Sequence, residues 1–213
     1  LGEGLDVHEG DAALLARIFS VVRDGNTLVL HHENPKLDRE SCQIFHEAVG
    51  RFSRDGISVK FLPTSGIAGI LLLRGDVSSA ITDSNPITEG RPLMKVLPLR
   101  SMADDPHARK TADLLNAYLR WSHKTLSEHP LNKNRKEKGL PPINADGTQR
   151  AGMLGRLPSF SEKWGLKGLM IASGAVYHGI GQVIGMDIRK VGDTNDPGRD
   201  LRERLERAHR ARE

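Results

Sequence analysis

The sequence predicts an α/β protein that carries a separate α+β module, and three observations lead there. Two apolar stretches alternate with period two around turn dipeptides, "FSVVRDGNTLVLHH" about Asp24-Gly25 and "ISVKFLPTSGIAGILLLRG" about Ser65-Gly66, the signature of hairpins. Farther on, "KGLMIAS", "GAVYHGIGQVI" and "MDIRKV" read as strand, helix and strand, a βαβ unit of the kind that builds parallel sheets. Between them, "HARKTADLLNAYLRWSHKTLSEH" has the period of a long amphipathic helix.

The elements follow in order. After the hairpin of 19–32, "DRESCQIFHEAVGRF" reads as a helix, and the second hairpin closes the two-periodic region near Arg74. A proline-rich passage through Pro86, Pro92 and Pro98 is irregular. Asp105 and Pro106 then stand as N-cap and first helical residue of the long helix, with Leu115, Leu119 and Leu126 as its apolar stripe. The basic run "NKNRKEKG" at 132–139 reads as a linker. From Gly139 the order is loop, strand, helix, strand, helix. Ser159 and Glu162 form a capping box for a one-turn helix that Gly165 ends. The terminal "GRDLRERLERAHRARE", with Leu201, Leu205 and Ala208 at helical spacing, reads as a solvated amphipathic helix.

The helix after Ser173 is rich in glycine. Val176, Ile180, Val183 and Ile184 mark one face; Gly174, His178, Gly181 and Gly185 mark the other. An interior glycine costs about 1 kcal/mol relative to alanine, so the small face is expected to press closely against another element. A helix start facing an anion is the alternative. No GxGxxG joins strand to helix, which argues against a dinucleotide site.

Composition narrows the function. With 213 residues and 38% hydrophobic content, the chain can bury one large core or two small ones. The net charge of +4 with only 4% aromatics, and basic residues mixed among acids, does not suit nucleic acid, though a small anionic substrate is compatible. No run reaches the roughly 18 apolar residues of a membrane span, and the mixed, acidic first twenty positions are unlike a signal peptide. The expectation is a cytoplasmic protein without a membrane partner. Cys42, the single cysteine, reads as a buried structural thiol. His31 and His32 fall on opposite sides of a strand, and His123 and His129 do not share a helix face, so neither pair is a metal site. No nucleophile motif is visible either.

"KGLPPIN", "LPSFSEKWGLKGLMIASGAVYHGIGQVIGMDIRKV" and "GDTN", with "LLRGDVSSAITDSNP" and "GLDVHEGDAAL" upstream, give the chain a resemblance to the archaeal type of cofactor-independent phosphoglycerate mutase over nearly its whole length. The resemblance implies part of an alkaline-phosphatase-like parallel-sheet core with an inserted α+β domain: 1–18 the edge of the core, 19–133 the insert, 134–213 a core segment. It implies an isomerase that interconverts 3-phosphoglycerate and 2-phosphoglycerate through a phosphoserine. Two divalent metal ions (Mn, Mg or Zn) support that chemistry in the full-length family. The family's nucleophile and metal clusters match nothing here, so the chain is expected to be an internal fragment that binds no metal by itself and is inactive in isolation.

The resemblance places Arg74, Asp83, Asn144 and Arg150 in loop motifs facing the substrate cleft. Arginine suits a phosphorylated acid because its planar donor fork matches phosphate and carboxylate alike. The chain departs from the family at Asn85 and Ile87, where an Asp-Pro-His is usual, at Leu15 to Arg17, where an Arg-x-Asn is usual, and at Arg150-Ala151-Gly152. These departures support an alternative, a non-catalytic relative that binds a phosphometabolite or a protein. An uncovered sheet edge would favour self-association, so a homo-oligomer is the remaining expectation on partners.

Overall fold

The computed structural model describes residues 6–155 and 157–211. The chain divides into two compact units, one over His8–Leu154 and one built on the chain from Gly155 onward. Positions 1–5 of the expected 1–18 segment lie outside the described residues.

The first unit is an antiparallel sheet with helices on one face. Its strands are β1 (Ala12–Asp24), β2 (Thr27–His32), β3 (Arg51–Arg54), β4 (Ile57–Ser65), β5 (Ala68–Arg74) and β6 (Ala145–Met153). They lie in the order β2-β1-β5-β4-β3, with β6 also paired to β1. Both expected hairpins are present, turning at Asp24/Thr27 and Ser65/Ala68. β1 is longer than its apolar pattern suggested and runs without a break past Phe19.

Alternation sets the core. Ala12, Leu14, Ala16 and Ile18 of β1, Ile57, Val59 and Phe61 of β4, and Leu71 and Leu73 of β5 share one buried face. That face is covered by α1 (Arg39–Ala48) through Cys42 and Phe45, and by α2 (Pro106–Ser127) through Leu115 and Tyr118. Gly69 sits where a Cβ would stand 2.3 Å from the Phe61 ring and 2.7 Å from the Leu62 carbonyl. Gly69→Ala is therefore expected to destabilise by about 1–3 kcal/mol, the usual range for overpacking. A urea midpoint equal to the parent's would contradict that packing.

Three local expectations are corrected. The helix read through "GRF" stops at Ala48, because Asp55 and Gly56, both at positive φ, turn the chain so that Arg51–Arg54 pairs with Ile57–Lys60. The basic linker is mostly α3 (Pro130–Glu137): the His129 ring accepts from the Leu131 N–H at 3.2 Å, Pro130 opens the first turn, and Asn132 is buried. The stretch after Gly139 read as loop contains β6, which pairs with β1 from Ala12 to Phe19.

The second unit holds α4 (Phe160–Trp164), β7 (Leu169–Ala172), α5 (Ala175–Val183), β8 (Asp187–Lys190) and α6 (Pro197–Arg210). β7 and β8 pair in parallel across α5, as expected. The Ser159/Glu162 capping box and the left-handed Gly165 cap are both formed. The small face of α5 meets the sheet, where a Cβ on Gly181 would lie 3.1 Å from Ile188 and 3.2 Å from Met170, while Val176 and Ile180 are exposed. α6 buries Asp200, which accepts from the Thr194 N–H and hydroxyl at 2.9 and 2.7 Å, and leaves Leu201 and Leu205 exposed.

Candidate functional site

The irregular chain at 82–87 is laced onto β6. Ser84 and Asn85 N–H groups donate to the Thr148 carbonyl at 2.9 and 3.2 Å. The Thr148 N–H donates to Ser84 Oγ at 2.9 Å, and the two hydroxyls meet at 3.1 Å. Asp83 Oδ1 accepts from the Arg150 N–H at 2.7 Å. The buried Ser84–Thr148 bonds fix the two segments side by side, and the exposed Arg150–Asp83 bond joins residues 67 positions apart in sequence.

Local backbone geometry marks the same place. β6 bulges there: Arg150 and Ala151 stand opposite Leu14 alone, between the pairs Gln149↔Leu15 and Gly152↔Ala13. A bulge re-aims the strand and its side chains, and bulges gather beside functional sites. Arg150 has φ of +54° and Ile87 φ of +64°. For a β-branched residue the latter is costly, by on the order of 1–3 kcal/mol. It is held by Asn85, whose Oδ1 accepts from the Ile87 N–H at 2.9 Å. The Ile87 side chain is 56% exposed.

Arg74 ends β5 on the other side of β1. Its Nε donates to Asp11 Oδ2 at 3.0 Å, an orienting partner that the sequence reading did not single out. β5 and β6 flank β1, so the strands that carry Arg74 and Arg150 are two ladder spacings apart, roughly 10 Å; Arg74 lies one position beyond the Ala12↔Leu73 pair and Arg150 opposite Leu14, so the two are also offset along β1. Asn144 is not part of this grouping. It precedes β6 at the opposite end, where its Oδ1 accepts from the Val21 N–H at 2.9 Å and its Nδ2 donates to the Val21 carbonyl at 3.2 Å. Its own N–H donates to the Phe19 carbonyl at 3.0 Å, and its carbonyl accepts from His123 at 2.6 Å. It extends the ladder rather than presenting its amide to a ligand.

Two buried groups escaped the sequence reading. Asp146 is 2% exposed; its Oδ2 accepts from the Tyr118 hydroxyl at 2.8 Å, while its Oδ1 has no partner among the described residues. Burial pushes its carboxyl up to about 7, opposed in part by the Tyr118 bond. His46 stacks on Phe61 with ring centroids 4.8 Å apart, and burial holds its imidazole below the ordinary value. It lines a cleft of about 870 Å³ with Leu37, Cys42 and Trp121; none of the four expected site residues reaches that cleft. Cys42 is buried, and burial raises its thiol.

Among the described residues no group of three or more His, Cys, Asp or Glu side chains could hold a metal ion. The two divalent ions implied by resemblance thus find no ligand set in the described chain. No helix among the described residues is long and apolar enough to cross a membrane.

Comparison with known proteins agrees with this architecture. The profile of the 2,3-bisphosphoglycerate-independent phosphoglycerate mutases matches residues 1–132. The enzyme of that name numbered 1 in Methanocaldococcus jannaschii is 33% identical over 198 residues, covering 92% of this chain and 47% of the relative. That of Methanopyrus kandleri is 30% identical, covering 88% and 44%. Among solved structures, the cofactor-independent phosphoglycerate mutase of Thermoplasma acidophilum superposes with a TM-score of 0.63 at 29% identity, over 98% of this chain and 54% of that one. The chain thus spans about half the length of the relatives it matches. With the family profile covering more than half of its residues, the chain belongs to the 2,3-bisphosphoglycerate-independent phosphoglycerate mutases.

Proposed function

We propose that this chain supplies the substrate-holding part of a metal-dependent phosphoglycerate mutase, which moves a phosphoryl group between the 3- and 2-hydroxyls of glycerate by way of an enzyme serine. The observation that carries this reading is the lacing of Asp83 to Arg150 at a bulge of β6, across β1 from Arg74 held by Asp11. Phosphoglycerate presents a phosphate and a carboxylate, and guanidinium forks suit both ends. In this reading Arg74 and Arg150 touch substrate. Asp83 fixes the left-handed backbone at Arg150, Asp11 orients the Arg74 fork, and Asn144 anchors the strand that carries Arg150.

The chemistry asked of these residues is retention. When the phosphoryl group has left for the serine, the glycerate must turn and present its other hydroxyl without escaping. A carboxylate grip that outlasts the phosphoryl transfer does this. The proposed domain plan is that the inserted α+β module contributes Arg74 and Asp83, and the chain beyond 133 contributes Asn144 and Arg150.

Arg74→Ala and Arg150→Ala are each expected to weaken 3-phosphoglycerate binding at least tenfold, about 1.4 kcal/mol, measured calorimetrically on the whole chain. Unchanged affinity in both would remove them from the site. The exposed Ile87, at a place where the family resemblance calls for an imidazole, favours a second reading in which phosphoglycerate is bound and not turned over. An enolase-coupled assay with Mn²⁺ and no bisphosphoglycerate, run on a chain that spans the relatives' whole length, separates the two.

A further inference from the structure

A second cationic concavity lies on the face of the sheet opposite α1 and α2. Register places it. Arg51 stands directly opposite Lys60, Ser53 opposite Ser58, and Ser58 in turn opposite Arg74. Directly opposed residues project to the same side of a sheet, with Cβ atoms about 5 Å apart. The alternate positions, Phe52, Val59 and Leu73, go to the core side. Arg51, Lys60 and Arg74 therefore share one face with the two serine hydroxyls between them, and these residues with Leu72 line a hollow of about 470 Å³; Arg51 and Lys60, near the sheet edge, also border the 870 Å³ cleft beside α1.

The charge in that hollow is one-sided. No acidic residue lines it. Among the described residues neither Arg51 nor Lys60 makes an ion pair, although Arg54 of the same strand pairs with Asp55. Like charges directly opposed across two strands are destabilising by a few tenths of a kcal/mol or more. A small dianion seated between them would offset that repulsion and accept hydrogen bonds from both serines.

We infer that Arg51, Lys60, Ser53 and Ser58, with Arg74 at the border, form an oxyanion site that takes the phosphoryl group of a small phosphate monoester. The site shares Arg74 with the proposed phosphoglycerate grip but does not rest on that reading, since its other four members are outside it. Lys60 supplies a compact point charge, Arg51 a planar fork, and the serines turn their O–H groups to the remaining oxygens.

The test is an amide NMR titration of the whole chain with inorganic phosphate, and separately with glycerol 2-phosphate, at ionic strength held constant with chloride. Saturable shifts are expected at residues 51–53, 58–60 and 74. The double substitution Arg51→Gln, Lys60→Gln should weaken both ligands at least tenfold. Shifts that stay linear with added phosphate would mean screening only and would overturn the inference, as would an unchanged affinity in the double variant. Neither result would touch the phosphoglycerate grip, which is removed only if Arg74→Ala and Arg150→Ala both keep the parent's affinity. Because Arg51 and Lys60 are exposed, the double variant is expected to fold, and its far-ultraviolet dichroism serves as the control.

Discussion

Asp146→Asn is expected to stabilise the first unit at pH 8 by on the order of 2–4 kcal/mol and to change it little at pH 4. The folded carboxyl titrates at about 7 against a usual 3.8. Below the unfolded value both states hold the proton and burial carries no ionic penalty. As pH rises from about 4 through 7 the unfolded chain ionises first, so stability is lost at up to about 1.4 kcal/mol per pH unit. Asparagine keeps the shape and the acceptor for Tyr118 while removing the titration. Tyr118→Phe should act in the opposite sense, costing more at pH 8, where it strips a donor from a buried anion, than at pH 5. Both follow from urea unfolding at the two pH values, each variant compared with the parent so that other carboxyls cancel. A stability difference for Asp146→Asn that is the same at pH 4 and pH 8 would refute the assignment.

The second large effect is expected at Asn132. Its Nδ2 donates to the carbonyls of Leu126 and Ile143 at 2.6 and 2.8 Å, and its Oδ1 accepts from the Ile143 N–H at 2.8 Å, all in the interior. One side chain thus ties the end of α2 to the approach of β6. Asn132→Ala leaves the Ile143 N–H and carbonyl without partners, each costing about 1–3 kcal/mol, while the Leu126 carbonyl keeps the His129 N–H at 3.1 Å, so a total loss of roughly 2 kcal/mol or more is expected. Asn132→Asp should be nearly as harmful, because it replaces the donor that serves both carbonyls. Chemical denaturation gives the loss directly. Hydrogen exchange at Ile143 and Asn144 should accelerate in step with it if the clamp acts where the geometry places it.

How legible these features are in the sequence depends on how local their causes are. Asp24-Gly25 and Ser65-Gly66 announce their hairpins because the turn itself demands those residues. Asp105-Pro106 announces α2 for the same kind of reason: the Asp105 side chain accepts from the His107 N–H at 3.0 Å. Asp55-Gly56 was an equally local signal, and with it the opposition of Arg51 and Lys60 could have been read. β6 offered no such cue. "ADGTQRAGM" has one β-branched residue and two glycines, and it is extended because β1 pairs with it from more than a hundred positions away.

The candidate site divides along the same line. Arg74 and Asp83 fall in motifs that a resemblance can find. The bond from Arg150 to Asp83 and the one from Arg74 to Asp11 depend on which strands lie side by side, and no spacing along the chain encodes that. Asn144 shows the converse: a polar residue beside a motif that suggested ligand contact is occupied on both amide atoms by Val21.

The placement of β1 also sets the order in which the unit can assemble. Its far half finds β2 directly across the two-residue turn, its near half finds β5 some fifty to sixty residues on, and its other edge finds the end of β6 only when Met153 has been made. Contacts of such separation are slow to form because loop closure precedes any gain from pairing. On a ribosome the longest strand of the unit therefore waits with an unsatisfied edge for most of the unit's synthesis, and that interval is when the chain is most exposed to misassociation.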